Sequence, residues 1–476
     1  MNNSSSVRVR FAPSPTGHLH IGGLRTALFN WLFARHNNGV YLMRIEDTDL
    51  ERSKEEYTQS ILDSFKWVNI NPDEPIVIQS ERVEEHKRLI AQLVEQGKAY
   101  KCYCTDEEMI ARRGAQADGF FSKYDGFCKT RPQTADLANK PFGVRFKLPT
   151  DQTTISWDDL IRGTVSFDID QLDDFIIARS DGQPLYNFVV VADDAFQGVT
   201  HVIRGEDHIP NTPKQILLYH ALGYQLPQFA HLSMILGPDG NRLSKRDAAT
   251  AVVDYKYNGY LPEALINYLV RLGWAHGDQE IFTIEQMIEY FGLDAVGKKS
   301  AIFDQQKLDW MNGMYMRNYS DAVCLATIVK DVDSAFLSQL PGWSEQQVIA
   351  LIGLYKQRAA TLKQVAQEII ALYQRPTTYD QADIVKWITP ETKNHLQAAI
   401  DGIKQLPTDD AAAVQALVKQ IIEQHNLKIV QLAQPMRIAL IGKSSGPGVF
   451  ELIAILKKEE SLARLQQLLT YIQDRA

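Results

Sequence analysis

The sequence predicts an α/β N-terminal half built on a parallel sheet, interrupted by an α+β insertion and followed by a mostly α-helical C-terminal half. Three observations carry this. Two period-two apolar runs alternate with two helical stripes before residue 70. The segment from about 100 to 150 loses any clean period and gathers three of the four cysteines. After about 250, apolar residues recur at helical spacing.

Val7, Val9 and Phe11 alternate with Arg8 and Arg10, which reads as a strand, and Pro13, Pro15 and Gly17 then break the chain. Leu24, Leu28, Trp31 and Leu32 line one face of a helix. A second strand, Val40 to Ile45, ends in Glu46-Asp47-Thr48-Asp49. Ser53 and Glu56 read as a capping box opening a helix whose apolar stripe is Tyr57, Ile61, Phe65 and Val68. Strand, helix, strand, helix implies right-handed crossovers in a parallel sheet. Strand-like runs return at Val144 to Leu148, Phe175 to Ala178 and Phe188 to Ala192. Leu261 to Leu272 and Ile349 to Tyr373 are helical runs, and Cys324, in the apolar helix Ala322 to Val329, is expected in the core.

With 476 residues the chain has room for about three domains at roughly 150 residues each. The 45% hydrophobic and 23% charged content excludes a disordered, collagen-like or purely coiled-coil protein. Fifty basic against 58 acidic side chains leave a net charge of −8, which excludes a non-specific DNA or RNA binder but leaves room for a local basic face. No apolar run approaches the ~18 residues that span a bilayer. Met1 to Ser6 lack a basic n-region, so no signal peptide is expected, and four cysteines are too few for a disulfide scaffold. A reduced, cytoplasmic protein with no membrane and no DNA partner is the expectation.

Two loops look suited to a nucleotide. Pro13-Ser14-Pro15-Thr16-Gly17 leads into His20-Ile21-Gly22-Gly23, where a helix start presents unpaired N–H groups and the positive end of its dipole to a phosphate. Gly22 and Gly23 would permit close approach, and His20 could donate to phosphate oxygens. Far downstream, Gly237-Pro238-Asp239-Gly240 is turn chemistry. It is followed by Arg242-Leu243-Ser244-Lys245-Arg246, three cations suited to clamping a triphosphate.

Together these loops resemble the HIGH and KMSKS signatures of class I aminoacyl-tRNA synthetases. Further stretches are similar to bacterial glutamyl-tRNA synthetases: Arg10 to Gly17, Arg25 to Asn30, Arg44 to Asp49, Gly205-Glu206-Asp207-His208, Arg271 to Trp274 and Phe303-Asp304. The resemblance covers essentially the whole chain. Where the related glutaminyl enzymes usually carry Glu-Pro-Asn, this chain has Ser14-Pro15-Thr16. It departs from the signature in having Gly23, not histidine, at the last HIGH position. The resemblance implies a Rossmann-type catalytic domain over 1–84 plus 188–240. It also implies an acceptor-end-binding insertion over 85–187, a stem-contact domain over 241–325 and a helical anticodon-binding region over 326–476.

It implies a two-step reaction with ATP and Mg²⁺, in which L-glutamate is adenylated and then transferred to the terminal adenosine of tRNA(Glu), and it implies a monomer. His20 and Lys245 would be catalytic. Gly17, His20, Gly22, Gly23, Arg242, Ser244 and Lys245 would bind ATP. Arg10 and Tyr186 would read the side-chain carboxylate of glutamate, Arg204 the other carboxylate, and Ser14 and Glu46 the ammonium, with Ala12 alongside. A guanidinium fork at a strand end suits a carboxylate. Thr48, Asp49 and Arg52 would lie near ATP or the tRNA terminus; Asp194 and Asp207 fall in motif-like stretches where a structural role is equally open.

Cys102-Tyr103-Cys104 and Cys128 suit a tetrahedral zinc site lacking one ligand. By resemblance the fourth is Tyr124, four residues before Cys128; the histidine that some members carry two residues after the last cysteine is Thr130 here. Three reduced thiols without metal is the competing reading. Lys and Arg interleaved with Phe120, Phe121, Tyr124 and Phe127 suit RNA stacking or a small core with a solvated rim. In the helical half, Arg358, Arg437 and Val449 match anticodon-contacting regions. A non-discriminating enzyme that also charges tRNA(Gln), a glutaminyl-tRNA synthetase and a non-catalytic RNA-binding paralogue are the alternatives. The last would be expected to lack His20, Lys245 or Arg10, all present.

Overall fold

The computed structural model describes residues 6–49, 51–113, 123–132, 134, 137, 139–241, 243 and 251–474. The chain divides into two compact units, Met1–Val253 with Leu265–Gln305, and Asp254–Ala264 with Gln306–Ala476.

The first unit opens as the alternation requires: β1 (Arg8–Phe11), α1 (Ile21–His36), β2 (Val40–Ile45), α2 (Glu55–Val68) and β3 (Val77–Ile78). β1, β2 and β3 pair in parallel, with Arg10 opposite Leu42 and Arg44 opposite Val77. The next elements are α3 (Val83–Glu95), β4 (Ala99–Cys102), α4 (Asp106–Arg113), β5 (Gly143–Phe146), β6 (Thr154–Asp159), β7 (Gly163–Asp168) and β8 (Ile176–Ala178). β4, β5 and β8 form an antiparallel sheet, and β6 and β7 an antiparallel pair. Then come α5 (Tyr186–Phe196), β9 (His201–Gly205), α6 (Thr212–Leu222), β10 (Gln228–Leu232), β11 (Ile235–Leu236), α7 (Val252–Tyr257), α8 (Pro262–Arg271), α9 (Ile284–Tyr290) and β12 (Ala301–Ile302). β9 runs parallel to β10, with Arg204 opposite His231, and β10 pairs with the end of β6. Thr200 joins β9 to the start of β1, its amide donating to Arg8 O at 2.9 Å.

Two local readings are corrected. Phe188 to Ala192 is not a strand but the centre of α5, buried from Phe188 through Asp194. A short run that is apolar on every face fits a fully buried helix as well as a strand. Nor do Ser53 and Glu56 form a capping box: α2 begins at Glu55, with Lys54 at its N-cap and no side-chain cap bond. The preceding loop claims this turn, since Ser53 N donates to Asp49 O at 2.9 Å and Lys54 N to Pro15 O at 3.1 Å.

The second unit is helical: α10 (Gln305–Asn318), α11 (Asp321–Thr327), α12 (Glu345–Tyr355), α13 (Leu362–Tyr373), α14 (Gln381–Trp387), α15 (Thr392–Gln405), α16 (Ala411–Gln424), α17 (Ile429–Ile441) and α18 (Val449–Gln473). The run 349–373 divides because Thr361 caps a new helix, accepting from Gln364 N at 3.2 Å. Cys324 lies in the buried core, with Leu351, Ile369, Leu396 and Leu465. Arg464, buried on α18, donates to Leu440 O at 2.7 Å and Leu372 O at 2.8 Å, so one side chain satisfies carbonyls in the last turns of α17 and α13. No helix among the described residues is long and apolar enough to cross a membrane.

Candidate active site and metal cluster

The C-terminal ends of β1 and β2 carry two buried arginines, and one carboxylate on α5 organises both. Asp194 Oδ1 accepts from Arg10 Nε at 3.0 Å and from Arg44 Nη1 at 2.8 Å. Arg44 also donates to Glu46 Oε1 at 3.0 Å and to Gln197 Oε1 at 2.7 Å. Burial pushes Asp194 up, but Arg10 and Arg44 outweigh it and hold the carboxyl below its ordinary range. For Glu46 the balance reverses, and burial leaves its pKa raised despite Arg44. Among the described residues, neither Arg10 Nη1 and Nη2 nor Glu46 Oε2 has a hydrogen-bond partner. A guanidinium fork and a carboxylate oxygen are thus left for something else. Glu46 N donates to Pro13 O at 2.9 Å, which lays the loop carrying half-buried Ala12 and exposed Ser14 along the same strand end.

Arg204, on β9, is 6% exposed and has no carboxylate partner among the described residues. Its Nε donates to His231 Nε2 at 3.2 Å and its Nη2 to Thr212 Oγ1 at 2.9 Å. Tyr186, at the start of α5, has its hydroxyl 3.0 Å from His208 Nδ1. Desolvation, helped by Glu46, pushes Tyr186 up to about 12, and desolvation with Arg204 lowers His208 to about 4. At neutral pH the phenol keeps its proton and the imidazole is neutral.

His20 is the N-cap of α1, and its Nδ1 accepts from Gly23 N at 3.1 Å. In the neutral ring that contact places the proton on Nε2. The glycines serve this ring: a Cβ at Gly22 would meet His20 Nδ1 at 3.1 Å, and one at Gly23 would meet Leu19 Cδ1 at 3.0 Å. The protein's own side chains therefore account for both glycines, whereas a Cβ at Gly17 would meet nothing within 4 Å. Arg242, Ser244 and Lys245 lie outside the described residues, as do Phe120 and Phe121. The chain beyond the basic segment returns to the same loop: Ala251 bridges to His20, and Val252 N donates to Leu19 O at 2.8 Å.

The three cysteine sulfurs of the insertion lie within 4.8 Å of one another, a grouping able to hold a metal ion. Cys102 and Cys128 are buried and Cys104 is half-buried. Tyr124 Oη is 3.4 Å from Cys102 Sγ and 3.6 Å from Cys104 Sγ, and it accepts from Cys128 N at 2.8 Å. Arg145 Nε donates to Cys102 Sγ at 3.3 Å and Arg112 Nη2 to Cys104 Sγ at 3.1 Å. Burial pushes the Cys104 thiol up to about 11, so at neutral pH it keeps its proton unless a metal takes its place. Sequence reasoning did not find these two arginines, which lie eight and 43 residues from the thiols they meet.

In the second unit, Arg358 and Arg437 converge on one loop. Arg358 Nη1 donates to Gly446 O; Arg437 donates to Pro447 O at 2.9 Å and Ser444 O at 3.0 Å. Val449 opens α18 and is 2% exposed as a whole residue. Arg52, in the first unit, is exposed and pairs with Asp49, Nε to Oδ2 at 2.7 Å. Sequence reasoning missed Arg44, His231 and Asp159. A charged or imidazole side chain inside Val40–Ile45 and Gln228–Leu232 was the available signal for the first two.

A family model described as the catalytic domain of class I tRNA synthetases (E and Q) matches residues 6–310, and one described as an anticodon binding domain matches residues 325–469. The chain is 45% identical over 480 residues to glutamate–tRNA ligase 1 of Syntrophus aciditrophicus, spanning 99% of each. It is 44% identical to the glutamate–tRNA ligase of Geotalea uraniireducens, over 98% of this chain and 99% of that one. A crystal structure of a glutamate tRNA ligase from Elizabethkingia meningosepticum, in complex with its amino acid, matches with a TM-score of 0.87 at 33% identity. It covers 98% of this chain and 99% of that one.

Proposed function

The chain belongs to the class I aminoacyl-tRNA synthetases, within their bacterial glutamate–tRNA ligases, and from that premise we propose that it joins L-glutamate to tRNA(Glu) in two ATP-dependent steps. One observation carries the amino-acid side of this reading. Arg10 and Arg44 pair with Asp194 and Glu46, whereas Arg204 touches no carboxylate among the described residues, so its charge and the unused Arg10 fork are left for two carboxylates of a ligand. Glutamate brings two carboxylates and one ammonium, a net charge of −1. The Arg10 fork takes one carboxylate with Tyr186, Arg204 the other, and Glu46 Oε2 with Ser14 takes the ammonium, with Ala12 packed alongside. Glutamine, with one carboxylate, would leave one of these two buried guanidinium groups without an anionic partner.

The glutamate carboxylate attacks the α-phosphorus of ATP, the bond to the pyrophosphate oxygen breaks, and pyrophosphate leaves. Such a transfer needs alignment and charge neutralisation. His20 Nε2–H and the start of α1, with Gly17, Gly22 and Gly23, face the phosphates. Lys245, with Arg242 and Ser244, neutralises the departing pyrophosphate, a task shared by the Mg²⁺ that accompanies ATP. The terminal ribose hydroxyl of tRNA then takes the acyl group and AMP leaves. We assign tRNA contacts to Arg52, Arg358, Arg437 and the start of α18 at Val449, with residues 1–84 plus 188–240 as the Rossmann-type catalytic domain. In this scheme 85–187 holds the acceptor end, 241–325 the stem and 326–476 the anticodon, in a cytoplasmic monomer.

The test is charging of pure tRNA(Glu) and tRNA(Gln) transcripts with labelled glutamate, and with labelled glutamine as control. Glutamate on tRNA(Glu) is the expected result. Glutamate on both would make the enzyme non-discriminating, and no glutamate on either would overturn the reading.

Cys102, Cys104 and Cys128 with Tyr124 offer three sulfurs and one oxygen, a set zinc accepts, and Arg112 and Arg145 donate to two of the sulfurs. Zinc there would be a structural cross-link between the end of β4 and the turn at Cys128. Protein purified without chelator should carry about one zinc per chain, and Cys104→Ser should lose it and unfold at lower temperature. Metal content well below stoichiometric in the unaltered protein would remove zinc from the scheme.

A further inference from the structure

We propose that His231, held by Asp159, is a positioning residue that aims Arg204 at a carboxylate of the amino acid while leaving the charge of Arg204 uncancelled. The inference rests on the reading of Arg204 as a carboxylate receptor.

Sheet register builds the row. β9 and β10 place Arg204 directly opposite His231, and β10 meets β6 at Phe229 and Asp159. His231 is fully buried and Asp159 is 4% exposed. His231 Nδ1 lies 2.5 Å from Asp159 Oδ2, and His231 N donates to Asp159 Oδ1 at 3.2 Å. The same Oδ1 accepts from Arg162 N at 2.9 Å and Ile161 N at 3.1 Å, so the carboxylate cannot turn away. The ring also stacks on Phe229, with centroids 6.3 Å apart and planes 11° from parallel.

These contacts decide the tautomer. Arg204 can only donate, so His231 Nε2 must accept, and the ring proton sits on Nδ1, pointing at Asp159. Burial lowers the pKa of His231 despite Asp159, which keeps the ring neutral. A neutral acceptor orients the guanidinium without neutralising it. An aspartate or glutamate in its place would orient Arg204 equally well but cancel the charge the substrate needs. Thr212 Oγ1, the second contact of Arg204, is also neutral, and it lies 3.2 Å from His231 Nε2, so Thr212 and the ring form one uncharged cradle for Arg204. The carboxylate is kept one residue further back, where it fixes the imidazole, the logic by which a buried acid fixes a catalytic histidine.

Two near-isosteric variants separate the contacts of His231. In His231→Gln the side-chain oxygen overlies Nε2 and still accepts from Arg204, but the donor to Asp159 is lost. In His231→Asn the amide still donates to Asp159, but the acceptor for Arg204 is lost. The readout is KM for glutamate and for ATP in pyrophosphate exchange, with thermal unfolding alongside. His231→Asn should raise the glutamate KM roughly 10- to 100-fold, the usual cost of losing an orienting partner. His231→Gln, which keeps the acceptor but loses the hold of Asp159, should raise it less than His231→Asn does, and the ATP KM should be unchanged in both.

A role in holding the strands together would reverse this order, because Asn preserves the Asp159 bond. Equal losses in the two variants, or a normal glutamate KM in His231→Asn, overturn the proposal. Arg204→Leu is measured in parallel: if it leaves the glutamate KM unchanged, the reading of Arg204 itself fails. If Arg204→Leu raises that KM and His231→Asn does not, only the positioning role falls.

Discussion

Arg10→Met should lower kcat/KM for glutamate by roughly 30- to 5000-fold, the equivalent of about 2–5 kcal/mol for truncating one side of a buried charge-assisted pair. The variant isolates recognition because of how Asp194 is held. That carboxylate loses Arg10 Nε but keeps Arg44 at 2.8 Å, so no buried acid is left unpaired and the fold is retained. What disappears is the free Nη fork. Methionine keeps most of the aliphatic length and adds no polar atom. Pyrophosphate exchange over a glutamate titration measures the change, and saturation at unaltered glutamate concentrations would remove Arg10 from the binding site. Glutamine should lose far less than glutamate, since it offers that fork no charge.

Lys245→Ala should cost ~100- to 1000-fold in the rate of pyrophosphate exchange, the typical loss when one preorganised stabiliser of developing charge is removed. Its signature differs from that of Arg10→Met: the glutamate KM stays put while the rate falls. The chain makes the contact reachable. Ala251, six residues after Lys245, bridges to His20, and six residues span at most about 20 Å. Exchange at the unaltered rate would end the role of Lys245 with pyrophosphate.

Legibility in the sequence followed the range over which each signal acts. β1, α1, β2 and α2 were readable because period two and period 3.6 are local patterns; α2 turns its stripe to the core, whereas β1 and β2 are buried on both faces and were located by their apolar runs. α5 was not, because a run such as Phe188 to Ala192, apolar at every position, carries no period; its type is set by burial on all sides. The capping box failed for a related reason. Ser53 and Glu56 have the right spacing, but Asp49 and Pro15 compete for the same backbone groups. In the site, Arg10, Glu46 and the cysteines stood in stretches with their own chemical signature. Asp159 and His231 are 72 residues apart and meet only through sheet register, which no local pattern announces. Arg44 was legible as a charge in a strand but not as the hub between Asp194, Glu46 and Gln197.

Arg204 carries a cost that falls on the free protein. Among the described residues, a guanidinium 6% exposed and bonded only to neutral acceptors is a buried cation without a paired counter-ion, and such a group lowers fold stability. Packing the same space with an apolar side chain would give a sturdier molecule with no use for glutamate, so at this position durability and recognition pull in opposite directions. The amino acid relieves the tension. By binding only the folded chain it acts as a stabiliser worth about 2.7 kcal/mol at a hundred times its dissociation constant. In the proposed scheme the resistance of the enzyme to unfolding rises with the concentration of its own substrate.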